Sequence, residues 1–148
     1  MPTAAPTGAP TDAPSTPGLQ LDFLAHSENV ECSLIPNGAI DGSDQLTVFF
    51  YFSLLYATPD QLDSLVAVSG TSDGGLTTSY SSGVDNQAFS AANFSLSSSH
   101  YGTTQVISLT VDSDGHYAET DETNNVATVT VSLPAVRPTT TVDPLPCA

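Results

Sequence analysis

Apolar and polar residues alternate with a period of two along most of residues 19–133. The segment Gln45 to Tyr56 shows it most strongly. Leu46, Val48, Phe50, Phe52 and Leu54 fall on one face, and Phe49, Tyr51 and Leu55 on the other. Such alternation predicts a β-strand. A strand apolar on both faces sits centrally in its sheet, or has its second face covered by a tail or a partner. Further strands are predicted over Leu19 to Ala25, Val30 to Ile35, Leu62 to Ser69, Leu76 to Ser81, Ala88 to Leu96, Thr104 to Asp112 and Val126 to Leu133. The intervening segments carry Gly, Asp, Asn and Ser, the residues of turns. Helical periodicity is absent, apart from one short turn predicted at Pro59 to Asp63 and capped by Thr58. Seven to nine short strands without helices predict an all-β fold, an antiparallel β-sandwich.

The pattern stops at both ends. Residues 1–18, MPTAAPTGAPTDAPSTPG, repeat Pro every three or four positions, and residues 134–148, PAVRPTTTVDPLPCA, have the same character. Chains of this composition bury no core and favour extended, polyproline-like conformations. The expected organisation is an N-terminal arm over 1–18, a sandwich over 19–133 and a C-terminal arm over 134–148. Such a unit is either one bead of a larger surface protein or a subunit whose arms reach a neighbour. Met1 leads into Pro and Thr without a basic or apolar leader, so a mature chain cut from a precursor or an excised piece of a longer protein is expected, with export by another route as the alternative.

The most informative stretch is DSDGHYAETDETNNVATVTVSL, Asp112 to Leu133. Two alternating strands flank a connection rich in acids and amides, which reads as an antiparallel hairpin. The order Asp112, Asp114, Glu119, Glu122, Asn124, Asn125, followed by a Val/Thr strand, resembles the C-terminal signature of CARDB domains. These are cell-adhesion-related, immunoglobulin-like modules of surface proteins. The opening strand and the long apolar second strand after Asn37-Gly38 and Asp41-Gly42 fit the same layout more loosely. The resemblance implies an immunoglobulin-like fold and a spacer, adhesion or assembly role outside the cell or at its surface. It implies no catalytic activity.

Charge narrows the partners. Sixteen Asp and Glu stand against Arg137 alone, with no Lys, giving a net charge of −15. Such a surface repels nucleic acid and anionic lipid, since phosphate binding needs cations. No run of residues approaches the ~18 apolar positions of a membrane helix. The expected partners are a second copy of the chain, other surface proteins, or glycans.

Five constellations carry candidate chemistry. Asp112, Asp114, Glu119, Asp121 and Glu122 offer hard oxygens for calcium, which takes roughly six to eight. The spacing breaks the EF-hand pattern, with His116 at the fifth place and Thr123 at the twelfth. The alternative is that these acids and Asn124 or Asn125 bond the backbone within Asp112 to Glu122 and fix the hairpin. Cys32 and Cys147 lie too far apart for a zinc knuckle and predict a disulfide, within the chain or between chains, with two free thiols as the alternative. Asn93-Phe94-Ser95 is an N-glycosylation sequon, for which Asn93 must face outward. His26, His100 and His116 share no metal-ligand spacing, and His116 is placed to pair with Asp114 or Glu119. Tyr80, Tyr101 and Tyr117 lie in Ser/Gly-rich or loop contexts, where rings either stack on sugars or fill an edge. No nucleophile elbow or phosphate loop occurs, so an enzyme is not expected. The expected function is a non-enzymatic structural or adhesion module, as a filament subunit assembled through its extended termini. The alternative is a glycan- or calcium-binding module.

Overall fold

The structure, a computed structural model, describes residues 20–84 and 87–148. The arm expected over 1–18 lies outside the described residues. Among the described residues eight strands occur: β1 (Asp22–Ile35), β2 (Asp44–Leu55), β3 (Val66–Ser72), β4 (Thr77–Ser82), β5 (Gln87–Leu96), β6 (Thr104–Val111), β7 (Val126–Ser132) and β8 (Val142–Leu145). They form two four-stranded antiparallel sheets, ordered β5-β2-β1-β8 and β4-β3-β6-β7. The fold is the predicted all-β sandwich. Among the described residues the only helical turns are 3₁₀, at Pro59–Gln61 and Ser98–His100. Thr58 caps the first, its N–H donating to Gln61 Oε1 at 2.8 Å.

The period-two pattern builds the core. Leu46, Val48, Phe50 and Phe52 of β2 are fully buried, as are Ile107 and Leu109 of β6 and Ala127, Val129 and Val131 of β7. Removing each such large side chain from water contributes about 1.5–3 kcal/mol. The alternate positions face outward and differ between sheets. On the first sheet Tyr51 pairs across to His26 and Phe89, and Phe49 to Glu31 and Ala91. The outward positions of the second sheet are largely Ser and Thr, among them Thr71, Thr77, Ser79, Thr128 and Thr130.

Two elements differ from expectation. The first two predicted strands are one, β1, interrupted by a bulge between His26 and Glu31 with Asn29 at φ 58°. The polar run His-Ser-Glu-Asn hides this continuity, because it carries no apolar alternation. The bend brings β1 onto the second sheet: Ala25 N–H donates to Asn124 O, and Thr128 N–H to Ser27 Oγ, both at 3.0 Å.

The C-terminal segment is the second. It lies along its own sandwich, and contains β8. Leu34 pairs with Val142 and Cys32 with Leu145, so β8 covers the edge of β1. Past β8 the chain crosses to β7, where Thr130 and Ala148 exchange N–H···O bonds of 2.6 and 3.0 Å. Cys32 and Cys147 are joined within the chain, Cα atoms 6.1 Å apart. Pro144 fits because an edge strand bonds on one side only. The strap escaped the sequence pattern because its apolar residues, Val142 and Leu145, lie three positions apart and show no period-two alternation.

A further anchor fixes the approach to the strap. Arg137 donates Nε to Asp44 Oδ2 (2.7 Å) and Nη2 to Asp44 Oδ1 (2.6 Å), while Nη2 also reaches Asn37 Oδ1 (3.0 Å). The Tyr101 hydroxyl donates to Asp44 Oδ2. A planar guanidinium gripping both carboxylate oxygens is the strongest form of such a pair.

Candidate functional site

The acidic connection between β6 and β7 is the richest cluster of chemistry-bearing side chains. Its conformation follows from Asp112, which ends β6 in the left-handed region at φ 52°. Asp tolerates that region better than most residues. From there its buried carboxylate caps the next turn. Oδ1 accepts from His116 N–H (3.1 Å) and Oδ2 from Tyr117 N–H (3.0 Å). Asp114 Oδ1 lies 3.3 Å from the same His116 nitrogen.

The remaining acids serve the backbone in the same way. Glu119 Oε2 accepts from Phe23 N–H of β1 at 2.8 Å, and Oε1 from Asn125 Nδ2 at 3.2 Å. Glu122 Oε1 accepts from Glu119 N–H (3.0 Å) and Asp121 Oδ1 from Thr123 N–H (2.9 Å). Buried Asn125 also donates to Val111 O at 3.0 Å, one residue before the range expected for that bond. Asn124 reaches a different strand, donating Nδ2 to Asp22 Oδ2 at 2.8 Å. The connection is thus stitched to itself and to the start of β1.

Tyr117 roots it in the core. Its ring is buried, edge-on to Phe23 with centroids 5.9 Å apart. Its hydroxyl donates to Asp63 Oδ1 (2.8 Å) and accepts from Asp63 and Ser64 N–H groups (3.1 and 3.0 Å). His116 Nε2 lies 2.9 Å from Asp63 Oδ1. Asp63, from a distant turn, is therefore a side-chain partner of His116, and Asp114 adds an electrostatic attraction. No sequence spacing links 63 to 116; a lone aromatic in a polar connection was the signal available for Tyr117.

The electrostatics divide by burial. Burial pushes the Glu119 carboxyl up to about 8, with Glu122 and Asp112 adding to the rise and the Phe23 and Asn125 bonds opposing it. Burial likewise pushes Asp112 up to about 6, with Asp114 adding to it and the Tyr117 and His116 N–H groups opposing. Desolvation disfavours the charged form, and neighbouring carboxylates compound it. At the exposed rim, His116 lowers Asp63 and is itself raised by it. Arg137 holds Asp44 far below the usual carboxylate range. The Tyr101 hydroxyl is pushed up to about 12, by burial first and Asp44 second.

Among the described residues, no three His, Cys, Asp or Glu side chains are grouped as a metal ion would need. Two buried oxygens, Asp22 Oδ1 and Asn124 Oδ1, have no hydrogen-bond partner among the described residues. Asn93 is exposed on the outward face of β5, its Oδ1 accepting from Thr47 Oγ1 (2.8 Å) and Gln45 Nε2 (3.0 Å). The tyrosines expected to offer rings are all engaged. Tyr117 is buried, Tyr80 bonds Ser90 Oγ at 2.7 Å, and Tyr101 bonds Asp44. The outward rings belong instead to exposed Phe89 and to half-buried Phe49 and Tyr51. Phe49 and Phe89 are parallel within 6° at 5.4 Å, and Tyr51 lies 5.1 Å from Phe89.

The CARDB family model matches residues 56–129, half of the chain. A CARDB domain from Pyrococcus furiosus, crystallised in complex with di-metal ions, is 20% identical; the match covers 80% of this chain and 97% of that one, with a TM-score of 0.49. No curated protein matches the chain. Among the described residues no helix is long and apolar enough to cross a membrane.

Proposed function

The chain belongs to the CARDB family, and on that premise we propose that it is a non-enzymatic structural module of a cell surface, a spacer that keeps its length under load. The observation that carries this reading is the Cys32–Cys147 strap. The chain enters at the foot of β1 and passes Cys147 near its last residue. Tension between these ends runs along β1 to Cys32 and through the disulfide, with the residues between the two cysteines off the load path. The cysteines are 115 positions apart. A disulfide also suits an oxidising, extracytoplasmic setting.

Pulling single molecules by their ends tests this. The oxidised protein is expected to show no large unfolding step. The reduced protein is expected to lengthen by roughly 380 Å, the extended reach of the released residues. A step of that size in the oxidised protein removes the load-bearing reading. For assembly, the C-terminal segment is engaged at home, so polymerisation through it is not part of the proposal. Among the described residues β4 and β5 each pair with one strand only, and such edges favour edge-to-edge contact instead. Sedimentation at high concentration separates polymer from single bead.

A second reading, a calcium-binding module, has one observation in its favour. Asp22 Oδ1 and Asn124 Oδ1 are buried acceptors lacking donors, a condition a cation or a bound water relieves. A melting temperature that falls by several degrees on adding chelator supports calcium; an unchanged one removes it.

A further inference from the structure

Among the described residues β5 is the most open edge of either sheet. It is ten residues long, and its register with β2 runs from Gln87↔Ser53 to Leu96↔Asp44 without a shift. It contains no Pro, no Lys and no bulge, the devices that natural edges use against pairing. The other edges are shorter or covered. β4 has six residues, β8 has four with Pro144 among them, and the end of β7 is met by Cys147. On the outward side of β5, Phe89 is 53% exposed and forms an aromatic ridge with Phe49 and Tyr51.

The distribution of charge points to the occupant. Of sixteen Asp and Glu, the stretch from Gly74 to Val111 holds one, Asp85, although it contains β4, β5 and β6. Charge returns only towards the ends of β5. Asp85 precedes it in sequence, and Asp41 lines a shallow cavity beside Asn93 and Ser95. On the outward face of the same sheet, His26 and Glu31 stand on β1. That is two strands in from the edge, roughly 10 Å away. Two copies of a chain of net charge −15 repel each other over most approaches. Along the middle of β5 they meet with least repulsion. A basic partner gains nothing from an uncharged edge and is drawn to the acids elsewhere.

Building on the edge contact proposed above, we propose that β5 pairs antiparallel with β5 of a second copy, about a two-fold axis near Ala91. The two four-stranded sheets then become one of eight. Two-fold symmetry is the commonest in dimers, and it sets the same surface of each copy against itself. Reversal about Ala91 matches residues of the same face. Phe89 meets Asn93 of the second copy, and Ala91 meets its own counterpart. Ala88, Ala92 and Phe94, buried in each copy, stay on the core side. The small side chain of Ala91 at the centre leaves space for the ring of Phe89 from each copy. The overlap from Gln87 to Ser95 supplies about nine backbone bonds, close to the number a standard interface carries.

The test is sedimentation equilibrium of the full chain, beside Ala91→Asp and Ala91→Lys measured alone and mixed. The full chain is expected to dimerise, more tightly as salt rises, because screening relieves the repulsion and no ion pair is lost. Each variant alone sets like charges together at the axis and is expected to raise the dissociation constant roughly tenfold or more. Mixed, they bring Asp opposite Lys and are expected to pair again, a recovery that a folding defect cannot give. A full chain that stays single at high concentration and high salt overturns the proposal. Variants that dimerise alone as the full chain does, or that fail to pair when mixed, overturn it too. Ser79→Asp, on β4, is expected to leave pairing unchanged; a loss equal to that of Ala91→Asp gives the contact to β4 instead. By hydrogen exchange, the β5 amides not bonded to β2 are expected to gain protection as concentration rises. Full protection already in dilute solution means an occupant within the chain and overturns the pairing. The spacer reading is tested separately, by the pulling experiment, and does not fall with this one.

Discussion

The two sides of the sandwich are finished differently. On the side of β1 and β7, both sheet edges are covered by the chain's own C-terminal residues, a disulfide ties the cover down, and the acidic connection stitches β7 to β1. On the side of β4 and β5, each edge strand pairs with one neighbour among the described residues. Neither edge strand carries a Lys or a Pro to block it, and natural sheets use both for that purpose. The outward aromatics stand on this second side. The lesson is that cohesion is concentrated where the described chain begins and ends its fold, and the outward aromatic rings are kept away from it.

The comparison breaks most sharply at the strap. Replacing Cys32 and Cys147 by Ala is expected to cost roughly 4–5 kcal/mol in the chain-entropy picture, because the bridge closes a loop of more than a hundred residues. Urea titration with and without reductant reads this directly. A loss under about 1 kcal/mol places the cohesion of that side in its hydrogen bonds. The next effect is smaller. Tyr117→Phe or Asn125→Ala removes a buried group that satisfies backbone partners, and each is expected to cost about 1–3 kcal/mol.

How far the sequence revealed this asymmetry depends on what sets each element. Strands such as β2, β6 and β7 were legible because alternation is a local property, and the sheet core is built from it. The hairpin signature from Asp112 to Asn125 was legible as a family resemblance, and its role in bonding backbone followed from side-chain chemistry. Partners distant in sequence were not legible. Glu119 meets Phe23, Tyr117 meets Asp63, and Arg137 meets Asp44 only because the two sheets bring them together. The strap was hidden for a different reason: a Pro-rich tail has no intrinsic strand signal, and the edge of β1 imposes its conformation.

Proton linkage sharpens the comparison on the stitched side. Glu119 and Asp112 have folded-state pKa values raised above those of free carboxyls, to about 8 and about 6. A raised acid contributes stability that is present in full below its unfolded pKa and is lost as pH rises through the folded value. Asp44 acts oppositely, being lowered, and its contribution disappears as pH falls below the unfolded value. The melting temperature is therefore expected to be highest near about pH 4 and to decline up to about pH 8, most steeply below about pH 6 where both acids contribute. Glu119→Gln is expected to flatten the upper part of that decline. An unchanged profile in this variant removes Glu119 as the cause.

The smallest stability effect belongs to the open side, and it is the most discriminating. Phe89→Ser deletes a whole ring, whereas Tyr117→Phe deletes one oxygen. By size alone the ring should matter more. Burial reverses the order. Phe89 is half exposed, and its main loss is the parallel contact with Phe49, worth about 0.5–1.5 kcal/mol for such a pair. Part of that loss is returned by removing exposed apolar surface from water, so a net cost below about 1 kcal/mol is expected. Tyr117 is 1% exposed, and its hydroxyl accepts from the Asp63 and Ser64 N–H groups and donates to Asp63 Oδ1. Chemical denaturation of the two variants side by side decides the matter. If Phe89→Ser proves the more costly, the ridge is part of the sandwich's own cohesion, and the division of the molecule into a tied side and an open one is wrong.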